Sequence, residues 1–483
     1  MTFTELPFFV LVLIVWMLWR LLAGQYRAQL AILLIGSLVF YGYRHPLLLL
    51  LLLAYCVVNW WAGLSIAKNR WPRLALTSGV AFNLVVLAYW KYTPLVIRTV
   101  FGDGPPPFDI DGWVIPFGIS FYAFTGIAYM VDVYRRTTTA EPEFWRYVLY
   151  SAFFPQLVAG PILRPHEFLD QLQPAGYRGR RKSPFDAFFL LGRGYFKKAV
   201  LADRISAAID PFFAHVADPT TAGVWSLPYV VLYALQIYLD FSAYTDIARG
   251  LGLLFGFEWP ENFNLPYLAT SIQEFWHRWH MTLSRFLKDY LYIPLGGNRH
   301  GAWRTHVNLM ATMLLGGLWH GASWSFLLWG GLHGSFLILN RLWVKTPAAR
   351  WLNAQTGPIR VAWNGFSLVL TFACVCLAWC FFRLTVLAES LACVQKWVIF
   401  ESGKILVGGA AELSLWLLLA GYACAVPLLH RLVDWAKSAE LRERPGLRPV
   451  VQGVGWGVSF ALLLLAFVLS PGGEKAPFIY FQF

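Results

Sequence analysis

Charged side chains are scarce in this 483-residue sequence: Asp, Glu, Lys and Arg make up 13% of it, against about 25% in an average soluble protein. That scarcity excludes an ordinary soluble globular domain, and no polar stretch between the apolar runs is long enough to supply one. Internal repeats and low-complexity segments are lacking, so the inverted-repeat architecture of many transporters finds no support. Cysteine is sparse as well, with six residues and no disulfide framework. Cys374, Cys376 and Cys380 share one apolar segment while Cys56, Cys393 and Cys424 are dispersed, a pattern expected of small buried hydrophobes rather than a metal site. No G-x-S-x-G follows a plausible strand, which disfavours a nucleophile-elbow hydrolase.

What is present is apolar and aromatic, at 58% and 17% of the chain. Apolar runs recur at 6–23, 29–43, 46–67, 74–90, 113–131, 145–160, 185–201, 225–254, 306–340, 361–382, 405–429 and 451–470. At about 1.5 Å rise per residue, about 20 residues cross a bilayer; the shorter or Gly/Pro-broken runs read as possible re-entrant segments. The expectation is an all-α polytopic membrane protein with about ten to twelve transmembrane helices. It forms a single membrane domain over 1–483, with N-terminal helices at 1–135, a core at 136–340 and C-terminal helices at 341–483.

The net charge of +13 arises from 39 Lys and Arg against 26 Asp and Glu. The basic residues lie in loops between apolar runs, as the positive-inside rule expects, and they do not suggest a nucleic-acid partner. Glu5 before the first run, with Arg20 and Arg27 after it, predicts an uncleaved first helix whose N-terminus faces outside. The acidic, Pro-rich break at 102–112 also suits the outer face. Residues 431–448 hold five Lys or Arg and are expected in the cytoplasm, so that the run 451–470 leads outward to the tail SPGGEKAPFIYFQF.

Two histidines sit where histidine is costly. His320 lies in LMATMLLGGLWHGASWSFLLWGG, residues 309–331, which contains no charged side chain. An ionisable group in hydrocarbon costs roughly 2.5 to 3.5 kcal/mol on insertion scales, so it normally faces the protein interior or a wet cavity and marks function. His280 closes FWHRWH in the basic, aromatic stretch 271–300, expected to be one helix ending before Pro294 and the Gly296-Gly297 turn. On that helix Glu274 and Arg278, and Arg285 and Asp289, form opposite-charge pairs four residues apart. Phe275, Trp276, Trp279, Phe286, Tyr290 and Tyr292 make every face partly apolar, which suits a membrane interface or a funnel. The basic residues favour an anionic ligand or membrane lipid headgroup. His277 and His280, three apart, either share a metal, for which no third ligand is evident, or leave His280 as a hydrogen-bonding or acid/base group. His333 follows His320 by thirteen residues, about 220° on a continuous helix, and so is expected on another face in a packing or hydrogen-bonding role. In the run 229–254, Asp240 and Asp246 accompany Gln236, Ser242, Tyr244 and Thr245. These carboxylates either line a path that orients the histidines or a substrate, or are tied to Arg or freed backbone.

A neutral imidazole can take a proton from a hydroxyl as it attacks an acyl carbonyl, and a tunnel in the bilayer would exclude the water that hydrolyses a thioester. The same histidine and carboxylates would also serve an ion-coupled membrane transporter of an anionic solute, using the imidazole as a relay.

The stretch FSAYTDIARGLGLLFGFEWPENFNLPYLATSIQEFWHRWHMTLSRFLKDYLYIPLGGNRHGAWRTHVNLMATMLLGGLWHGASWSFLLWGGLHG, residues 241–334, resembles the core of the membrane-bound O-acyltransferase (MBOAT) family. It is most similar to the bacterial branch that includes the alginate O-acetylation membrane protein. IPFGISFYAFTGIAYMVDVYR at 115–135 and FFPQLVAGPILRPHEF at 153–168 fit the same branch. The resemblance implies a helical fold around a membrane-embedded tunnel in the bacterial cytoplasmic (inner) membrane, with the N-terminus and C-terminal tail periplasmic. It implies that His320 of W-H-G-A is the catalytic base or the residue nearest the transferred acyl group, with His280 of R-W-H supporting binding or catalysis. Trp276, Arg278, Trp279, Asp246, Asn298 and Trp319 are the implied substrate-binding residues. No bound cofactor or metal is implied; acetyl-CoA or another acyl thioester is the donor substrate. The implied activity is O-acetylation of an extracytoplasmic polysaccharide, with a periplasmic SGNH-type acetyltransferase or esterase and the polysaccharide synthesis machinery as partners. Relatives commonly carry R-R-W-H where His277 stands here, which would weaken an anion contact, and F-S-G-Y-S-D where this chain has Phe241 to Asp246. The tail FIYFQF resembles the ends of this branch and of the small partner in D-alanyl transfer to teichoic acids. Tyr480 is accordingly implied as a phenolic acyl acceptor, its alternative role being an aromatic interfacial anchor.

Overall fold

The computed structural model describes residues 1–44, 46–101, 113–158, 160–178, 184–218, 220–221, 226–398, 419, 421, 447–469 and 478. Regular structure among them is helical, as the composition demands, because a chain in lipid must satisfy its backbone internally. In chain order the helices are α1 (Leu6–Leu21), α2 (Tyr26–Gly42), α3 (Pro46–Ala67), α4 (Pro72–Phe101), α5 (Ile119–Tyr134), α6 (Phe144–Ala152), α7 (Pro165–Leu172), α8 (Pro174–Arg178), α9 (Pro184–Phe196), α10 (Asp203–Ala214) and α11 (Ser226–Leu254). They continue with α12 (Ile272–Arg278), α13 (Met281–Leu287), α14 (Gly301–His320), α15 (Trp324–Trp343), α16 (Pro347–Ala354), α17 (Gly357–Arg383), α18 (Leu387–Val398) and α19 (Leu447–Val468). π-helical turns occupy Lys197–Ala202 and Lys288–Tyr292. By length and apolar composition, α3, α4 and α17 are long enough to cross a membrane, with mean hydropathies of 2.1, 1.4 and 2.2. Shorter apolar helices lie at Leu6–Leu21, Tyr26–Gly42, Ile119–Tyr134 and Gly453–Val468.

The chain divides into two compact units, one of Met1–Arg181 with Phe255–Leu368, the other of Lys182–Leu254 with Val369–Gln482. In the first, α3, α4 and α5 bring side chains directly against backbone because the contact positions are glycine. A Cβ on Gly63 would collide with the Tyr129 ring, one on Gly79 with Met130 Sδ, and one on Gly126 with the Asn59 amide. Small residues at such crossings are how helices in lipid gain van der Waals contact. Asn59 and Asn83, both buried, exchange side-chain hydrogen bonds between α3 and α4: Asn83 Nδ2 donates to Asn59 Oδ1 at 2.6 Å and Asn59 Nδ2 returns to Asn83 Oδ1 at 3.3 Å.

Two stretches expected to be continuous are broken. The run 306–340 is a hairpin, because Gly321 is extended at φ −166° and Ser323 starts α15 by accepting the Phe326 N–H through its hydroxyl. α14 and α15 then pack closely: a Cβ on Gly317 would strike the Phe326 carbonyl oxygen, and one on Gly330 the Met313 carbonyl oxygen. The stretch 271–293 breaks at Trp279 and His280 into α12, α13 and a π-helical turn. The run ended at 90 in the sequence also continues, since α4 reaches Phe101 with Pro94 inside it and Lys91 buried.

In the second unit, α9 packs against α11 and α19 at glycines. Gly194 faces the Ala243 carbonyl, Gly250 the Ala187 carbonyl and Gly192 the Ser459 carbonyl. Buried ion pairs run through it. Lys198 bridges Asp203 at 2.9 Å and Asp240 at 2.8 Å, and its ammonium lies 4.4 Å from the Phe478 ring centroid.

Candidate active site

His320 is the last residue of α14, and its place follows from the helix break: Gly321 turns the chain away, leaving the imidazole at a buried helix end. Because the chain folds back, α15 lays Trp329 and His333 beside it. The His320 ring lies 5.0 Å from Trp329 and 4.8 Å from Trp319, both edge-on. His333 lies 4.7 Å from the same Trp329, 5.1 Å from Trp276 and parallel to Phe275 at 6.0 Å. The 220° separation of a continuous helix therefore does not apply: His320 meets Trp329 across the hairpin, and His333 meets it one turn along α15.

His280 reaches the same neighbourhood by a different local device. Trp279 is extended and His280 occupies the left-handed region at φ 39°, ψ 55°, where its Nδ1 accepts the Leu283 N–H. A non-glycine residue there costs energy and persists only when its surroundings hold it. Asn262 supplies that hold: its carbonyl accepts the Met281 N–H at 3.0 Å, and its Oδ1 accepts both the N–H and the hydroxyl of Thr282 at 3.1 and 3.0 Å. The fully buried His280 ring faces Trp319 with centroids 6.3 Å apart.

Both histidines thus meet the Trp319 indole edge-on. The indole is stacked on Phe124 at 5.1 Å, Phe124 on Phe286 at 4.0 Å, and Phe286 meets Tyr290 at 4.8 Å. This aromatic column ends in a polar cluster where the Tyr290 hydroxyl donates to Asp132 at 2.8 Å and Arg164 pairs with Asp289. The expected Arg285–Asp289 pair is absent among the described contacts. The π-helical turn that begins at Lys288 changes the four-residue register, and Arg285 instead meets Glu167 at 2.9 Å.

Lys91 of α4 closes the site. Its ammonium donates to the main-chain carbonyls of Trp319 and, at 3.0 Å, of His320. Hydropathy alone closes the run 74–90 at the residue before it; a lysine at the twentieth position of a long apolar helix is the signal that points to it.

The structure brings together His320, His280, Trp319 and Trp276 from the sequence-derived set and adds His333, Trp329 and Lys91. The others go elsewhere. Trp279 is buried against Phe263 at 5.1 Å and Phe275 at 5.6 Å. Arg278 pairs with Glu274 at 2.7 Å, as the spacing predicts. Asn298 is exposed on the turn after the π-helical segment, and His277 is exposed while His280 is buried. Asp246 belongs to the second unit, where Arg193 Nε and Lys197 Nζ donate to its Oδ2 at 2.8 and 2.7 Å. Tyr480 lies outside the described residues. Three buried imidazoles thus stand among the indoles of Trp276, Trp319 and Trp329.

Residues 133–379, more than half of the chain, match the model of the membrane-bound O-acyltransferase family. The chain is 39% identical over 414 residues to a probable alginate O-acetylase of Pseudomonas aeruginosa, covering 83% of this chain and 74% of that protein. It is 35% identical over 501 residues to a probable alginate O-acetylase of Pseudomonas putida, covering 96% of each. A peptidoglycan O-acetyltransferase of Helicobacter pylori is 35% identical over 395 residues, 76% of this chain and 73% of its own.

Proposed function

The chain belongs to the membrane-bound O-acyltransferase family and is a membrane acyltransferase, and from that premise we propose that it moves acetyl groups for O-acetylation of an extracytoplasmic polysaccharide. The donor in this reading is a cytoplasmic thioester, acetyl-CoA or another. The acetyl group passes through a tunnel formed by about ten to twelve crossings of the bacterial inner membrane, with both termini periplasmic.

The observation that carries the reading is the convergence of His320 and His280 on Trp319, at 4.8 and 6.3 Å between ring centroids. His320 accepts the proton of the attacking hydroxyl as its oxygen bonds to the thioester carbonyl carbon. The carbon–sulfur bond then breaks, and the imidazolium returns that proton to the leaving thiolate. His280 supports the bound donor or the same transfer, and Trp319 and Trp276 exclude water. The relatives named for alginate and peptidoglycan support a polysaccharide acceptor served by a modification machinery. Within that machinery, Tyr480 is the first acyl acceptor and an SGNH-type periplasmic protein the next.

The test combines labelled acetyl donor with mass spectrometry of the native protein, His320→Ala and Tyr480→Phe. Native protein is expected to carry label on Tyr480 and to pass it on; H320A is expected to fold and carry none. Transfer persisting in H320A would overturn the base assignment, and unchanged label on Y480F would remove the tail from the pathway.

A further inference from the structure

The end of a helix leaves its last carbonyls without intrahelical partners, and burial makes each of them expensive unless another group donates to it. At the end of α14 the donors come from two successive residues of α4. Tyr92 Oη donates to the Leu318 carbonyl at 2.8 Å, and Lys91 Nζ donates to the carbonyls of Trp319 and His320. The ammonium also lies 3.5 Å from Ser120 Oγ and 5.9 Å from the Trp319 ring centroid. Lys91 is 5% exposed, and no carboxylate among the described residues pairs with it. Its charge is instead set against the negative end of the α14 dipole.

We infer that Lys91 is a positioning residue: by gripping the carbonyls of Trp319 and His320 it fixes the depth and direction of the His320 imidazole and of the indole that both histidines meet. The inference rests on the assignment of His320 as the base. A simple helix cap would serve fold alone, and Tyr92, one residue on and bonded to the preceding carbonyl, provides the internal comparison. Tyr92 holds the helix end without touching His320, whereas Lys91 holds His320 itself. An arginine at 91 would still donate to both carbonyls with altered reach, while methionine fills similar volume and donates nothing.

The experiment measures steady-state thiol release from acetyl-CoA, or from whichever thioester supports transfer by the native chain, in purified full-length Lys91→Met, Lys91→Arg, Tyr92→Phe and His320→Ala. K91M is expected to lower kcat about a hundredfold, the scale of an ångström-sized misplacement of a catalytic group, with KM unchanged. K91R is expected to recover part of that loss, and Y92F to lower thermal stability while leaving kcat near the native value. Native kcat in K91M, or equal losses in K91M and Y92F, would overturn the inference. Should K91M fail to fold, Lys91→Gln, which can donate to one carbonyl but not grip both, replaces it under the same criterion. An active H320A would defeat the base assignment instead, so the two failures are told apart.

Discussion

His280 Nδ1 accepts the backbone N–H of Leu283 at 3.3 Å, so this histidine caps α13 from a left-handed backbone. The cap and the chemistry can therefore be separated by substitution. Asparagine tolerates that backbone and carries a capping oxygen, whereas alanine does neither; loss of a cap costs about 1 kcal/mol. His280→Asn is expected to unfold near the native temperature in detergent and His280→Ala several degrees lower, with labelled acetyl transfer reduced in both. Native transfer in H280N would confine His280 to shaping the chain.

The α14–α15 hairpin depends on glycine at positions 317 and 330. A methyl group on Gly317 meets the Phe326 carbonyl oxygen, while one on Gly331 touches only Leu314 Cδ2 at 3.6 Å, an ordinary contact. Gly317→Ala is expected to cost about 1 to 3 kcal/mol, the scale of overpacking, and to lower transfer; Gly331→Ala is expected to do neither. Thermal unfolding of both variants, followed by intrinsic fluorescence, checks this. Equal stability of the two would mean that the helices separate without cost.

Asp246 balances Arg193 and Lys197 in a buried cluster. Asp246→Asn leaves both cations under-compensated, and breaking such a pair costs about 3 to 5 kcal/mol. The double variant Asp246→Asn with Lys197→Met is expected to lose less than the sum of its parts in a double-mutant cycle. If D246N instead folds like the native chain and fails only in acetyl transfer, the carboxylate acts on the substrate, as the sequence resemblance implies.

The helical membrane class was legible because apolar runs are a matter of composition, and His320 and Trp319 stood out because a histidine is conspicuous in an uncharged run. Glu274 and Arg278 paired as their spacing required. The break at His280 was hidden, since a histidine in a left-handed conformation looks like any other residue in an aromatic, helix-compatible stretch. The 220° relation of His333 to His320 presumes a helix that continues through Gly321, and one extended glycine resets every angular relation beyond it, while the packing of His333 against Phe275, Trp276 and Trp329 agrees with the role its position suggests. The partners of Asp246 lie 53 and 49 residues away in sequence, and such long-range pairing carries no local pattern. Lys91 sits at a boundary, where hydropathy alone stops a segment at the first charge.

The reciprocal amide pair of Asn59 and Asn83 has a geometric reach beyond its own two bonds. Sliding α4 along α3 by one residue, or by a whole turn, would break both bonds between the helices and leave each amide only the carbonyl four residues back on its own helix, so the pair acts as a key that favours one axial setting. Lys91 follows Asn83 by eight positions on the same helix, about 12 Å along the axis. That key is therefore what sets the altitude at which the ammonium arrives: two asparagines more than two turns away calibrate the height of the histidine it holds.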